Sequence, residues 1–116
     1  MVRIHNTSKN TVIALQGVVA DTFFSRMTGL LKRASLRPEE ALVITRCQSI
    51  HMFFMRFAID AIFVDRDHSV VGLVQNIKPF RLSPIFFKAS SVIEVPPGVI
   101  VQSRTAIGDQ ITICDS

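Results

Sequence analysis

The segment from Cys47 to Asp60 contains the side chains that are best suited to chemistry. Cys47, His51 and Met55 are spaced four residues apart, so an extended strand would place all three on one face. A thiolate, an imidazole and a thioether are ligands that soft metals such as copper prefer. However, positions four apart on a strand lie about 13 Å apart, which is too far for one metal ion. We therefore predict no metal site and no cofactor.

An acid–base pair is the second possibility in this segment. Asp60 could orient His51, and Cys47 could act as a nucleophile if a neighbouring cation, Arg46 or Arg56, favoured its thiolate form. The alternative is structural: His51 is a hydrogen-bonded core or edge histidine, and Asp60 caps a turn between two strands. We favour the structural interpretation, because nothing in the sequence places these groups together.

Two other charged residues allow a binding role or a bracing role. Arg26 could bind an anion, or it could form a bidentate bridge with Asp60 that fixes a helix to the sheet. Glu94 precedes the sequence Pro96-Pro97-Gly98, and we interpret it as a hydrogen-bonded carboxylate at a strand end.

A long loop, residues 78–91, is the most promising binding element. It contains two prolines and the apolar run Ile85-Phe86-Phe87, which we predict to be exposed. Long loops are often binding elements, and apolar residues on a loop often mark interaction sites. The predicted binding residues are Arg26, His51, Met55, Asp60, Phe86 and Phe87.

Short apolar runs between turn signals indicate a fold built from a sheet. The predicted strands are residues 11–20, 41–45, 49–55, 61–65, 70–75, 92–95 and 110–114. An N-cap at residues 21–22 and apolar residues at helical spacing predict one helix, about 22–32. This pattern predicts a mainly-β (α+β) fold, either a compact β-sandwich or a partly closed barrel, with one short helix in the N-terminal half.

Chain length and composition limit the class of protein. A chain of 116 residues with 48% hydrophobic and 19% charged residues suits a single soluble domain spanning residues 1–116. No apolar run reaches the roughly 20 residues that span a bilayer, and the start of the chain lacks the apolar core of a signal peptide. We therefore expect a cytoplasmic protein with no membrane partner, and reduced thiols at Cys47 and Cys114.

The charge distribution is uneven. Residues 1–59 contain eight Lys or Arg and three acids, whereas residues 60–116 contain five and six, for a net charge of +4. The longest basic run is only Lys32-Arg33, and the chain has no Trp or Tyr for base stacking. We therefore interpret the charge as a mildly basic solvated surface and do not expect nucleic acid as a partner.

Five segments together resemble a bacterial and archaeal family, domain of unknown function 192. They are TFFSRMTGLL (22–31), SIHMFFMRFAID (49–60), AIFVD (61–65), VIEVPPG (92–98) and GD (108–109). The resemblance implies a small β-sandwich-like domain with a helix near its start, and it implies no activity. The chain departs from the family pattern at Ser25, Ala58 and His68. His68 stands where a turn glycine is common, which argues against a tight type I′ turn.

The sequence contains no phosphate-binding glycine loop, no HExxH, no GxSxG and no paired CxxC. Our leading hypothesis is a small non-enzymatic binding or interaction module whose partner is a small molecule or a protein. The alternative is a small hydrolase or thiol-dependent enzyme that uses His51 with Asp60 or Cys47.

Overall fold

Seven strands form one sheet in the computed structural model, which describes residues 1–20, 36–50, 52 and 56–115. The strands are β1 (Val2–Asn6), β2 (Thr11–Ala20), β3 (Glu40–Thr45), β4 (Ile59–Val64), β5 (Val70–Ile77), β6 (Ser91–Val95) and β7 (Ile111–Asp115). A four-residue helix, α1 (Val99–Gln102), follows β6. The strand order is β5-β4-β6-β3-β2-β1-β7, and β2 and β3 are the one parallel pair.

The sheet curls so that its two edge strands meet at one end. Ser69 and Gln110, the residues directly before β5 and β7, form an isolated antiparallel bridge. Beside this bridge, Val70 N–H donates to the Asp109 carbonyl at 2.9 Å. The result is a curled half-barrel, so the predicted mainly-β fold is confirmed in its partly closed barrel form rather than as two stacked sheets.

Both faces of the sheet are covered along β4, whose six residues are all buried. Ile59, Ala61 and Phe63 point to one face, which we call the loop face because Phe86 and Ala89 from the loop after β5 pack against it. Ile62 and Val64 point to the opposite face, which we call the helix face because Val99 and Ile100 of α1 pack there. A strand buried on both faces explains why β4 reads as an almost continuous apolar run.

Most of the predicted strands are confirmed to within two residues, but three results differ. Ser49, Ile50 and Met52 are not in a regular strand, so that part of the predicted strand 49–55 is wrong, and residues 51 and 53–55 lie outside the described residues. The sequence also failed to indicate β1 and α1. The predicted helix at 22–32 lies outside the described residues. No helix in the described ranges is long and apolar enough to cross a membrane.

The hairpin between β4 and β5 turns without a glycine. The Asp65 carbonyl accepts the His68 N–H at 3.0 Å, and Asp65 Oδ1 accepts the N–H groups of Asp67 and Ser69 at 2.9 Å. His68 has a φ of 63°, in the left-handed region that glycine prefers. A β-turn followed by one left-handed residue makes a wider connection than a two-residue type I′ turn. The presence of His68, where a glycine is common, had argued against the type I′ turn.

Candidate binding surface

The loop between β5 and β6, residues 78–90, is fixed by hydrogen bonds although it forms no regular strand. We call this segment the apolar loop. It runs beside residues 47–50 and residue 52 and exchanges backbone hydrogen bonds with them, so each segment stabilises the conformation of the other. These bonds are Phe80 N–H to the Met52 carbonyl (2.8 Å), Met52 N–H to the Arg81 carbonyl (2.8 Å), Ser83 N–H to the Ile50 carbonyl (2.9 Å) and Phe86 N–H to the Gln48 carbonyl (2.8 Å).

Phe86 anchors the apolar loop to the sheet. Its ring packs against Phe63, with the two ring centroids 4.5 Å apart and a tilt of 37°. Gly72 makes room for this ring, because a Cβ at that position would lie 2.4 Å from Phe86 Cδ1. The sequence predicted Phe86 and Phe87 as an exposed pair, but Phe86 is partly buried and only Phe87 is exposed. Phe86 therefore has a structural role.

Four large apolar side chains project from the apolar loop into solvent. They are Phe80 (65% exposed), Leu82 (67%), Ile85 (57%) and Phe87 (80%). Phe80 also has a φ of 66°, a conformation that is strained for a bulky residue. An apolar surface on a fixed backbone indicates an interaction site more strongly than scattered exposed residues do.

The apolar loop is also cationic. Lys78, Arg81 and Lys88 are exposed, and no acid occurs between residues 78 and 90. Within the described part of the chain, none of these three side chains forms an ion pair. Next to the loop, Phe87 and Lys88 border an open cleft of about 450 Å³ whose far wall is the turn at residues 65–67. The loop therefore combines apolar side chains with positive charge, while Asp65 and Asp67 line the opposite side of the cleft that Lys88 borders.

Asp60 braces the helix face. Its side chain is 1% exposed, and its carboxylate accepts backbone N–H groups from Asn76 (2.8 Å), Gly98 (3.0 Å) and Ile100 (3.1 Å). These bonds fix the start of α1 and the left-handed residue Asn76 near the end of β5. This arrangement supports the structural interpretation of Asp60, although the carboxylate caps α1 rather than a turn between strands.

Cys47 lies on the other face of the sheet from Asp60. Its side chain packs against the loop-face core, and its thiol donates a hydrogen bond to the Ser49 carbonyl at 2.9 Å. Asp60 alternates along β4 with Ala61 of the loop face, so its carboxylate points to the helix face. The structure therefore does not bring Cys47 and Asp60 together as a catalytic pair.

Three of the predicted binding residues, Arg26, His51 and Met55, lie outside the described residues. Their proposed pairings with Asp60 and Cys47 stay predictions. Glu94 is fully buried within β6, where it pairs with Leu42 of β3 and Ala61 of β4. It is thus a fully buried carboxylate next to the end of β6.

A buried polar cluster ties the start of the chain to its end. Asn6 Nδ2 donates to Asp109 Oδ2 at 2.9 Å and to Thr105 Oγ1 at 3.1 Å, and Lys9 Nζ lies 2.8 Å from Asp109 Oδ2. The Ala106 N–H also donates to Asp109 at 2.9 Å. We call Asn6, Lys9, Thr105 and Asp109 the polar cluster.

The polar cluster stabilises the ionised form of Asp109. Burial raises the pKa of this carboxyl, but the hydrogen bonds from Asn6, Lys9 and Ala106 and the charge of Lys9 outweigh burial, so the net pKa is below the ordinary value. The sequence indicated only a turn at Gly108-Asp109. Nothing in it links Asp109 to residues about a hundred positions earlier. Among the described residues, no group of three His, Cys, Asp or Glu side chains could hold a metal ion.

The fold and the surface define a class: a mainly-β half-barrel domain with a fixed, exposed and cationic apolar loop. The profile of domain of unknown function 192 (DUF192), described as an uncharacterised ACR family, matches residues 4–113. The chain therefore belongs to this family, as its motifs indicated.

Two similar archaeal proteins have names that assign no function. A UPF0127 protein from Thermococcus sibiricus is 37% identical over 110 residues, which cover 91% of this chain and 71% of that protein. The UPF0127 protein PH1112 from Pyrococcus horikoshii is 37% identical over 114 residues, 93% of this chain and 96% of the relative.

One solved structure, of a protein of unknown function from Novosphingobium aromaticivorans, has a TM-score of 0.79 at 22% identity and covers 96% of this chain and 82% of that one. A Sinorhizobium meliloti protein described as a candidate transcription regulator has a TM-score of 0.77 at 20% identity. The match covers 96% of this chain and 90% of the Sinorhizobium chain. At such identities both likenesses show the fold alone.

Proposed function

We propose that this domain is a cytoplasmic, non-enzymatic binding module and that the apolar loop is its binding element. One observation carries the proposal. Phe80, Leu82, Ile85 and Phe87 are all more than half exposed, although hydrogen bonds to Gln48, Ile50 and Met52 hold the backbone that bears them. Exposing apolar side chains to water is unfavourable, and a surface that keeps them in place is suited to a partner that covers them.

Among the described residues, no observation favours the alternative, a small hydrolase or thiol-dependent enzyme that uses His51 with Asp60 or Cys47. The Asp60 carboxylate is occupied by three backbone N–H groups and points away from the face on which Cys47 packs. A carboxylate held in this way at 1% exposure has a bracing role, which supports the structural interpretation of Asp60.

The chemistry of the partner follows from the loop. Its apolar side chains require an apolar group, and Lys78, Arg81 and Lys88 favour a negative charge. The partner is therefore an amphipathic anion, either a small molecule or an acidic group on a larger assembly.

A fluorescent apolar anion, anilinonaphthalene sulfonate, tests the proposal. We expect the folded protein to enhance its fluorescence, and we expect the double variant Leu82→Ser, Phe87→Ser to lose most of that enhancement. The matched control is Val12→Ser, Val18→Ser, because these side chains are also about half exposed but lie on β2. Circular dichroism and thermal unfolding verify that each variant is folded. Equal loss of fluorescence in both double variants, or no loss in the loop variant, would refute the proposal.

A further inference from the structure

We infer that the apolar loop docks on the surface of an anionic lipid bilayer. This inference rests on the proposed function and names the partner of the same surface. It departs from the expectation of no membrane partner, which considered only an apolar run long enough to span a bilayer. A loop that inserts a few side chains at the bilayer interface needs no such run.

The side chains of the loop match the layers of such an interface. Phe80, Leu82, Ile85 and Phe87 provide apolar groups for the hydrocarbon boundary. Lys78, Arg81 and Lys88 lie among them in the sequence, and a long basic side chain can keep its charge at the headgroups while its stem follows apolar surface. Apolar contact and attraction to anionic headgroups thus act at the same place.

Part of the loop backbone, at Phe80, Ser83 and Phe86, is suited to leaving water. A peptide N–H or carbonyl without a partner is costly in a bilayer, which restricts the backbone that can enter it. In the apolar loop, the N–H groups of Phe80, Ser83 and Phe86 already donate to residues 48–52, and the Phe87 carbonyl accepts from Gln48 Nε2 at 2.8 Å. Pro79 and Pro84 have no N–H to satisfy.

Other occupants fit these observations less well. A second copy of the chain in a symmetric contact would place Lys78, Arg81 and Lys88 against the same cations. Single-stranded nucleic acid would use the phenylalanines for stacking but would leave Leu82 and Ile85, both more than half exposed, without a matching surface. A protein partner would need pockets shaped for four separate side chains, whereas a fluid bilayer adapts to them.

A tryptophan reporter tests the inference directly. The chain contains no Trp, so Phe87→Trp gives one fluorophore at the most exposed apolar position of the loop. We expect its emission to shift to shorter wavelength when vesicles of equal parts phosphatidylglycerol and phosphatidylcholine are added, because the indole enters a less polar environment. Val12→Trp, on β2, is the control and should show no shift.

Charge variants test the anionic component. Each basic side chain near an anionic surface strengthens binding about fivefold, so Lys78→Gln, Lys88→Gln should weaken vesicle binding by roughly 25-fold. The control is Arg3→Gln, Arg37→Gln, which removes the same net charge from exposed positions outside the loop. If both pairs weaken binding equally, the loop has no special role and the inference fails.

The outcomes separate this inference from the proposed function. Binding to phosphatidylcholine vesicles as strong as binding to the mixed vesicles would overturn the anionic partner. A Phe87→Trp emission that is unchanged by the mixed vesicles at low salt, or that shifts instead with an acidic peptide or a single-stranded polynucleotide, would overturn the bilayer as the partner. If the loop still binds anilinonaphthalene sulfonate in those cases, the binding module stands and only the bilayer is excluded.

Discussion

The polar cluster and the apolar loop both join distant parts of the chain, but they do so in opposite ways. In the polar cluster, Asp109 is covered and accepts hydrogen bonds from Asn6, Lys9 and Ala106. In the apolar loop, the backbone is paired at positions such as Phe80, Ser83 and Phe86, while side chains such as Phe87 remain in water. Converging polar residues therefore indicate bracing here, and the uncovered apolar residues are the better indicator of function.

Replacing the loop anchor should have the largest effect on stability. We expect Phe86→Ala to lower the free energy of unfolding by about 2–3 kcal/mol, because it removes a partly buried ring from Phe63 and leaves space beside Gly72. Phe87→Ala should change it by less than about 0.5 kcal/mol, since that ring is 80% exposed. Urea unfolding measures both. Similar losses in the two variants would contradict the division between anchor and surface residue.

Removing the central carboxylate of the polar cluster should have the second-largest effect on stability. Asp109→Ala leaves Asn6, Lys9 and the Ala106 N–H without their acceptor, which we expect to cost about 2 kcal/mol. Asp115→Ala is the control because Asp115 is exposed near the end of β7. Urea unfolding again provides the measurement. If Asp109→Ala reduced the free energy of binding anilinonaphthalene sulfonate by more than it reduced the free energy of unfolding, the polar cluster would have a role beyond stabilising the fold.

The stability difference between the natural protein and Asp109→Ala should depend on pH, because the pKa of Asp109 is lowered in the folded protein. A carboxyl whose pKa is lower in the folded protein contributes fully above its unfolded value, ordinarily 3.8, and loses this contribution as the pH falls through the folded value. The gap in thermal stability between the natural protein and Asp109→Ala should therefore be constant near neutrality and shrink below about pH 4. A gap that persists unchanged in strong acid would show that the ionised form is not what stabilises the cluster.

Local patterns predicted the local parts of the molecule. The hairpin of β4 and β5 was predictable because adjacent apolar runs flank one turn. The loop lacks any such periodicity, so the sequence could not distinguish Phe86 from Phe87. A hint lay in Gly72, since a glycine inside a strand often marks a close approach by another group.

Distant partners were beyond sequence reasoning. Asp60 pairs with backbone N–H groups up to 40 positions away, and backbone groups are present at every residue, so no residue type identifies them. Residues 49–55 were predicted as a strand because their apolar content suits one. Ile50 and Met52, two of the described members of this segment, exchange hydrogen bonds with an irregular loop instead of a regular strand.

Relieving backbone strain should have the smallest effect on stability, and it distinguishes a structural turn from a binding element. His68 and Phe80 both have a left-handed φ, 63° and 66°, which glycine adopts without cost. We expect His68→Gly and Phe80→Gly each to raise the free energy of unfolding by about 0.5–1 kcal/mol. Only Phe80→Gly should also weaken binding of anilinonaphthalene sulfonate, because the strained conformation holds an exposed ring in the loop. If Phe80→Gly stabilised the fold and left binding intact, Phe80 would be strained for no functional reason, and the binding surface would reduce to Leu82, Ile85 and Phe87.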